Sequence, residues 1–179
     1  MAEPDDPEFA RWLHDISPES FEDGAFISDA WRTWLQTVYA DQGPISRVEV
    51  EAQALRQMTA VAQDALTAVL DDAERALTTR PPMEVVHNEG LRIAYRQQRA
   101  SLSFVTEEPP AALSTPDDLQ ARVEVAEAVI ELLTGGDRPD IPFRCPEHRT
   151  GLRPQLNSGR AVWWCWVTRH VAAEIGQLH

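Results

Sequence analysis

Cys145, His148, Cys165 and His170 are the residues of this chain whose types and spacing could do chemistry together. They read Cys-x2-His, then sixteen intervening residues, then Cys-x4-His. A Cys-x2-His step, like Cys-x2-Cys, makes a tight knuckle from which both side chains can reach one tetrahedral ion. Pro146 stiffens that knuckle. The same four residues also admit a plain alternative, two buried thiols and two surface or satisfied histidines. Their clustering favours ligation, because the whole chain holds only two Cys and five His. Four protein donors leave no open position for water, so such a metal would be structural and not catalytic. With three donors only, Glu147 would be the available base.

Short elements must position these donors. Leu152–Leu156 and Arg160–Trp164 flank Asn157-Ser158-Gly159, a turn sequence, which predicts a hairpin between the two ligand pairs. From Trp166 onward, Val167, Val171, Ile175 and Leu178 predict a terminal helix, with Cys165 at its entry and His170 about one turn in. Five positions turn about 140° round a helix, so the two donors converge only if Cys165 precedes the helix proper. Knuckle, hairpin and helix together resemble the treble-clef and zinc-ribbon class of structural zinc modules, over Phe143 to about Gly176. The resemblance implies a structural Zn2+ held by Cys145, His148, Cys165 and His170.

The rest of the chain reads as a mainly helical body. A short helix is expected around Phe9–His14. A second follows an N-cap at Ser28, with Trp31, Trp34, Leu35 and Val38 at helical spacing before Gly43. Two Trp on one face read as core packing, or as an aromatic platform if both rings are exposed. The strongest helix signal runs from Ser46 to about Thr79. Ser46-x-x-Glu49 is a capping box, and Val48, Leu55, Ala62 and Val69 fall seven apart. That stripe could pack within the chain or against a second copy, so a homodimer or another protein bound through the 46–79 helix is an expected partner. Arg80-Pro81-Pro82 ends the helix.

Residues 83–106 alternate apolar and polar side chains, which predicts a three-stranded antiparallel meander with Arg92, Arg96 and Arg99 on a solvated side. A last body helix begins near Thr115-Pro116-Asp117-Asp118, buries Leu119, Val123, Ala126, Ile130 and Leu133, and stops at Gly135-Gly136. The fold class expected is therefore α+β, mainly α. Residues 1–137 form an acidic helical body and 138–179 a small basic module.

The charge is divided along the same line. Residues 1–137 carry 10 Arg against 26 acids, and residues 138–179 carry 6 Arg against 3. The chain has no Lys, a trait of GC-rich, bacterial-type composition. An acidic body repels nucleic acid and anionic membranes. No run approaches the ~20 apolar residues of a membrane span, and the N-terminus lacks an apolar leader core, so the cytoplasm is expected.

Three functions compete. The first is a non-enzymatic accessory or adaptor protein whose zinc module contacts another protein. The second is a nucleic-acid-binding regulator using Arg144, Arg149, Arg153 and Arg160, with Trp163, Trp164 and Trp166 interleaved as stacking surfaces. The third is an HNH-like nuclease, since His148, Asn157 and His170 occur in that order, although His148 falls at the knuckle and the Asn-to-His interval is long. No Ser–His–Asp order or phosphate-cradling Gly loop stands out.

Overall fold

The computed structural model describes residues 6–16, 28–87, 90–96, 113–135 and 142–179. The elements run α1 (Pro7–Ile16), α2 (Asp29–Gln42), α3 (Arg47–Leu77), β1 (Met83–His87), β2 (Leu91–Tyr95), α4 (Asp118–Thr134), β3 (Arg153–Asn157), β4 (Arg160–Cys165) and β5 (His170–Glu174). Four helices, a two-stranded sheet and a three-stranded antiparallel sheet make an α+β protein that is mainly helical. Packing divides the chain into two compact units, one of Met1–Met58 with Thr115–Asp117, the other of Thr59–Ser114 with Asp118–His179.

In the first unit, α1, α2 and the start of α3 enclose a small aromatic core. Phe9, Trp12, Leu35, Val38 and Val50 are buried there, with Trp34, Tyr39 and Ile45 packed against them. The Trp12 indole donates to the Ile45 carbonyl at 2.7 Å, satisfying the polar edge of a ring that is otherwise enclosed. Ser28 accepts from the Trp31 amide at 3.4 Å as the α2 N-cap, and Gly43 closes that helix at φ 72°. Trp31 and Trp34 are both half-buried and meet edge to face at 5.5 Å. The capping box is formed: the Ser46 amide donates to Glu49 Oε2 at 2.9 Å, and the Glu49 amide donates to Ser46 Oγ at 3.3 Å.

The heptad stripe on α3 changes environment along its length. Val48 is 74% exposed and Leu55 49%, whereas Ala62 and Val69 are buried. In the second unit, Ala65, Leu66, Leu70 and Ala73 of α3 join Ile93, Val125, Val129, Phe143, Leu152, Trp163 and Ile175 among the buried apolar residues. β3 and β4 lie against α4, as does β2.

Two expectations differ from the structure or fall outside it. Of the 83–106 meander, β1 and β2 are present as an antiparallel pair in the register Val85↔Ile93, and the expected third strand and Arg99 lie outside the described residues. The expected terminal helix is instead β5, paired antiparallel with β4. The spacing of Val167, Val171, Ile175 and Leu178 suits a helix, but the backbone of β4 offers an open row of hydrogen-bonding groups. Arg169, at φ 55°, reverses the chain so that it returns along that row.

Candidate metal centre

The donors come from the ends of two β-hairpins. In the first, Arg144 bridges to Gly151, and Cys145-Pro146-Glu147-His148 forms the turn between them. The Arg149 amide donates to the Cys145 carbonyl at 2.8 Å, and the Cys145 amide donates to the Thr150 carbonyl at 2.8 Å, which closes the knuckle. In the second, β4 ends at Cys165 and β5 begins at His170, and these two residues are register partners. Directly paired residues on antiparallel strands project to one face. The strand thus removes the 140° conflict that a helix would have posed. A β-bulge between Trp163 and Trp164 adjusts the register just before this pair.

The four side chains converge: one ligand atom from each of Cys145, His148, Cys165 and His170 lies within 4.8 Å of every other, an arrangement that could hold a metal ion. Cys145 Sγ is 3.4 Å from His148 Nδ1 and 3.7 Å from His170 Nε2, and Cys165 Sγ is 3.5 Å from His148 Nδ1. Both sulfurs are buried and both imidazoles are partly exposed. Hydroxyl groups lie against two of these side chains. His170 Nδ1 lies 2.7 Å from Thr168 Oγ1; when Nδ1 carries the proton and donates to that hydroxyl, the Nε2 lone pair faces the cluster. Thr150 Oγ1 is 3.9 Å from Cys165 Sγ.

Burial alone would push the Cys165 thiol up. It is outweighed by hydrogen bonds from the Val167 amide, from Cys145 and Thr150, and from the Thr168 amide, which bring the thiol down to about 7. The lowered value favours the thiolate, the form in which a cysteine binds a metal.

Behind the donors, Trp163 is fully buried and stacks on Phe143 with centroids 4.2 Å apart. Its indole donates to Asp72 Oδ2 at 2.6 Å. Asp72, on α3, is itself fully buried, and it also accepts from the Gly176 amide at 2.6 Å, the Leu178 amide at 2.8 Å and the Arg75 guanidinium at 2.9 Å. Four donors meet one carboxylate, as a buried charge requires. Gly176 makes this approach possible: at φ 98° a side chain would be strained, and an added Cβ would come within 3.1 Å of the Ala68 Cβ.

The remaining candidates are dispersed. Arg144, Arg149, Arg153 and Arg160 are exposed, and Arg160 pairs with Glu174 at 3.1 Å. Trp163 is core and Trp164 half-buried, while Trp166 is 60% exposed. Thr168, Thr150 and Asp72 are absent from the residues singled out by sequence. One signal could have found Thr168: Cys165-Trp-Val-Thr168-Arg169 repeats the pattern Cys145-Pro-Glu-His148-Arg149, with Thr in place of the second donor. In the first unit, Trp34, Gln42, Gln53, Arg56 and Gln57 line an open cleft in which Gln42 and Gln53 exchange hydrogen bonds of 3.2 and 2.8 Å. No helix among the described residues is long and apolar enough to cross a membrane. No family model, curated protein or solved structure matches this chain.

Proposed function

We propose that Cys145, His148, Cys165 and His170 hold a structural zinc ion, and that the protein is a non-enzymatic accessory or adaptor whose zinc-stapled module contacts another protein. Interatomic distance carries the metal assignment. Zinc bonds of ~2.3 Å to sulfur and ~2.05 Å to nitrogen at tetrahedral angles set S and N donors about 3.6 Å apart. The three sulfur–nitrogen separations above are 3.4, 3.5 and 3.7 Å. Two thiolates and two imidazoles complete the coordination shell of a closed site. Two knuckles on adjoining hairpins, with no helix delivering the second pair, favour the zinc-ribbon over the treble-clef form of that class.

The interaction role draws on apolar side chains left in solvent, Trp166 on the module and Val48 and Leu55 at heptad spacing on α3. The α3 residues are where a second copy or another helix would pack. The nuclease alternative would want His170 on a helix, and this residue opens β5.

The test is metal content. Purified protein should carry one zinc per chain by elemental analysis, and cobalt substitution should give the visible absorption of a tetrahedral thiolate site. Cys145→Ser and His170→Ala should lose the metal, and a chelator should lower the wild-type melting temperature. A metal-free wild type whose melting ignores the chelator would sink the assignment.

A further inference from the structure

The two knuckles share an unusual feature beyond their donors. The residue four positions after each Cys, Arg149 and Arg169, sits in the left-handed region at φ 54° and 55°. Glycine adopts that conformation freely and arginine only under strain. Strained residues that persist cluster at active sites, ligand clamps and switch regions. Both side chains are exposed, and among the described residues neither guanidinium has an ion-pair partner, in a chain with 29 acids. Each is the sequence neighbour of a histidine of the cluster, so the two backbones flank the same group of side chains. Between Cys165 and Arg169 the chain also exposes Trp166 at 60% and Val167 at 43%. Leaving a Trp in water forfeits the burial of a large apolar surface.

We propose that this tip, formed by Arg149, Trp166, Val167 and Arg169, docks an acidic peptide segment of a partner protein through an apolar anchor flanked by carboxylates; the inference rests on the adaptor reading above. Trp and Arg are the residue types most enriched at the energetic centres of protein interfaces. The guanidinium groups suit carboxylates, which they can grip in bidentate fashion. Single-stranded nucleic acid is the less favoured occupant. It calls for successive aromatic platforms, and of Trp163, Trp164 and Trp166 only the last is well exposed. The net charge of -13 also opposes a dense polyanion more than a short acidic segment.

A display library of random peptides, selected on the zinc-loaded full chain, tests this directly. Enriched peptides should combine Asp or Glu with Leu, Phe or Trp. Binding of a selected peptide, followed by fluorescence anisotropy, should weaken as salt rises. Trp166→Ala should weaken it at least about tenfold. The double variant Arg149→Gly, Arg169→Gly should do the same while keeping its zinc and a melting temperature at or above wild type, because glycine relieves both turns. Zinc-loaded protein that enriches no acidic peptides, or whose peptides ignore these substitutions, overturns the docking surface alone. Tighter binding of a fluorescein-labelled oligothymidine strand than of any selected peptide would also overturn it, in favour of nucleic acid. A protein without zinc would overturn the metal reading and this surface with it.

Discussion

Thr168 occupies the place in the second knuckle that His148 occupies in the first, and the fourth residue of the cluster, His170, comes two positions later. Its hydroxyl lies 2.7 Å from His170 Nδ1, on the side of the ring away from the cluster. Outer partners of this kind fix the tautomer and the ring plane, and their loss commonly costs 10–100-fold in metal affinity. Thr168→Val, which keeps the shape and removes the hydroxyl, should therefore weaken zinc binding by roughly tenfold in a chelator competition, with the fold intact by circular dichroism. A variant with unaltered affinity would reduce Thr168 to a bystander. At this scale the Cys/His cluster is legible in the sequence because ligand chemistry admits few residue types and fixes their spacing. Thr168 is not, since a hydroxyl in a turn has many commoner uses.

Among the elements, α3 is the one whose start is written most plainly. Ser46 and Glu49 satisfy each other's backbone amides, and Ser46 holds the Glu49 carboxyl below its ordinary value of 4.5, first through its hydroxyl and then through its amide. A carboxyl lowered on folding contributes stability above the ordinary glutamate range, and that contribution is lost as pH falls through the lowered value. Ser46→Ala should cost about 1 kcal/mol in urea unfolding at neutral pH. The cost should shrink in acid, where protonated Glu49 no longer favours the pairing. A pH-independent difference between variant and wild type would argue against this cap. β5 shows the opposite case. Val167, Val171 and Ile175, within and on either side of it, fall four apart, yet strand pairing decides the outcome, and pairing depends on β4, which a window along β5 does not contain.

On the scale of the whole molecule, Asp72 ties α3 to the sheet that carries Cys165 and His170. Its partners Trp163, Gly176 and Leu178 lie 91, 104 and 106 residues away in sequence. Separations of this size explain why a lone acid in a helix gives no sequence signal. They also explain why the charge division between residues 1–137 and 138–179 does not match the packing, which groups 59–114 with 118–179. Asp72→Asn should destabilise the protein by about 2–4 kcal/mol, because buried donors lose a shared charged acceptor. Since Trp163 and Cys165 stand two apart on β4, the same variant should also weaken zinc binding. Denaturant titrations with and without chelator would check both, and a loss identical in the two conditions would show that carboxylate and metal act independently.

The bulge at Trp163 and Trp164 and the turn at Ser158-Gly159 divide β4 into regions of unequal tolerance to insertion and deletion. Ser158 and Gly159, at φ 51° and 72°, make a two-residue turn that is exposed and matched to strand twist. Its second residue lies about 20 Å along the strand from Cys165, at ~3.4 Å per residue. Removing one residue of the 166–169 connection would pull His170 out of register with Cys165 and dismantle the donor set. Lengthening the distal turn would leave that pairing alone. The turn is thus a place to graft an epitope or fluorophore, giving a labelled protein whose Cys/His cluster and outward-facing Trp166 are left undisturbed.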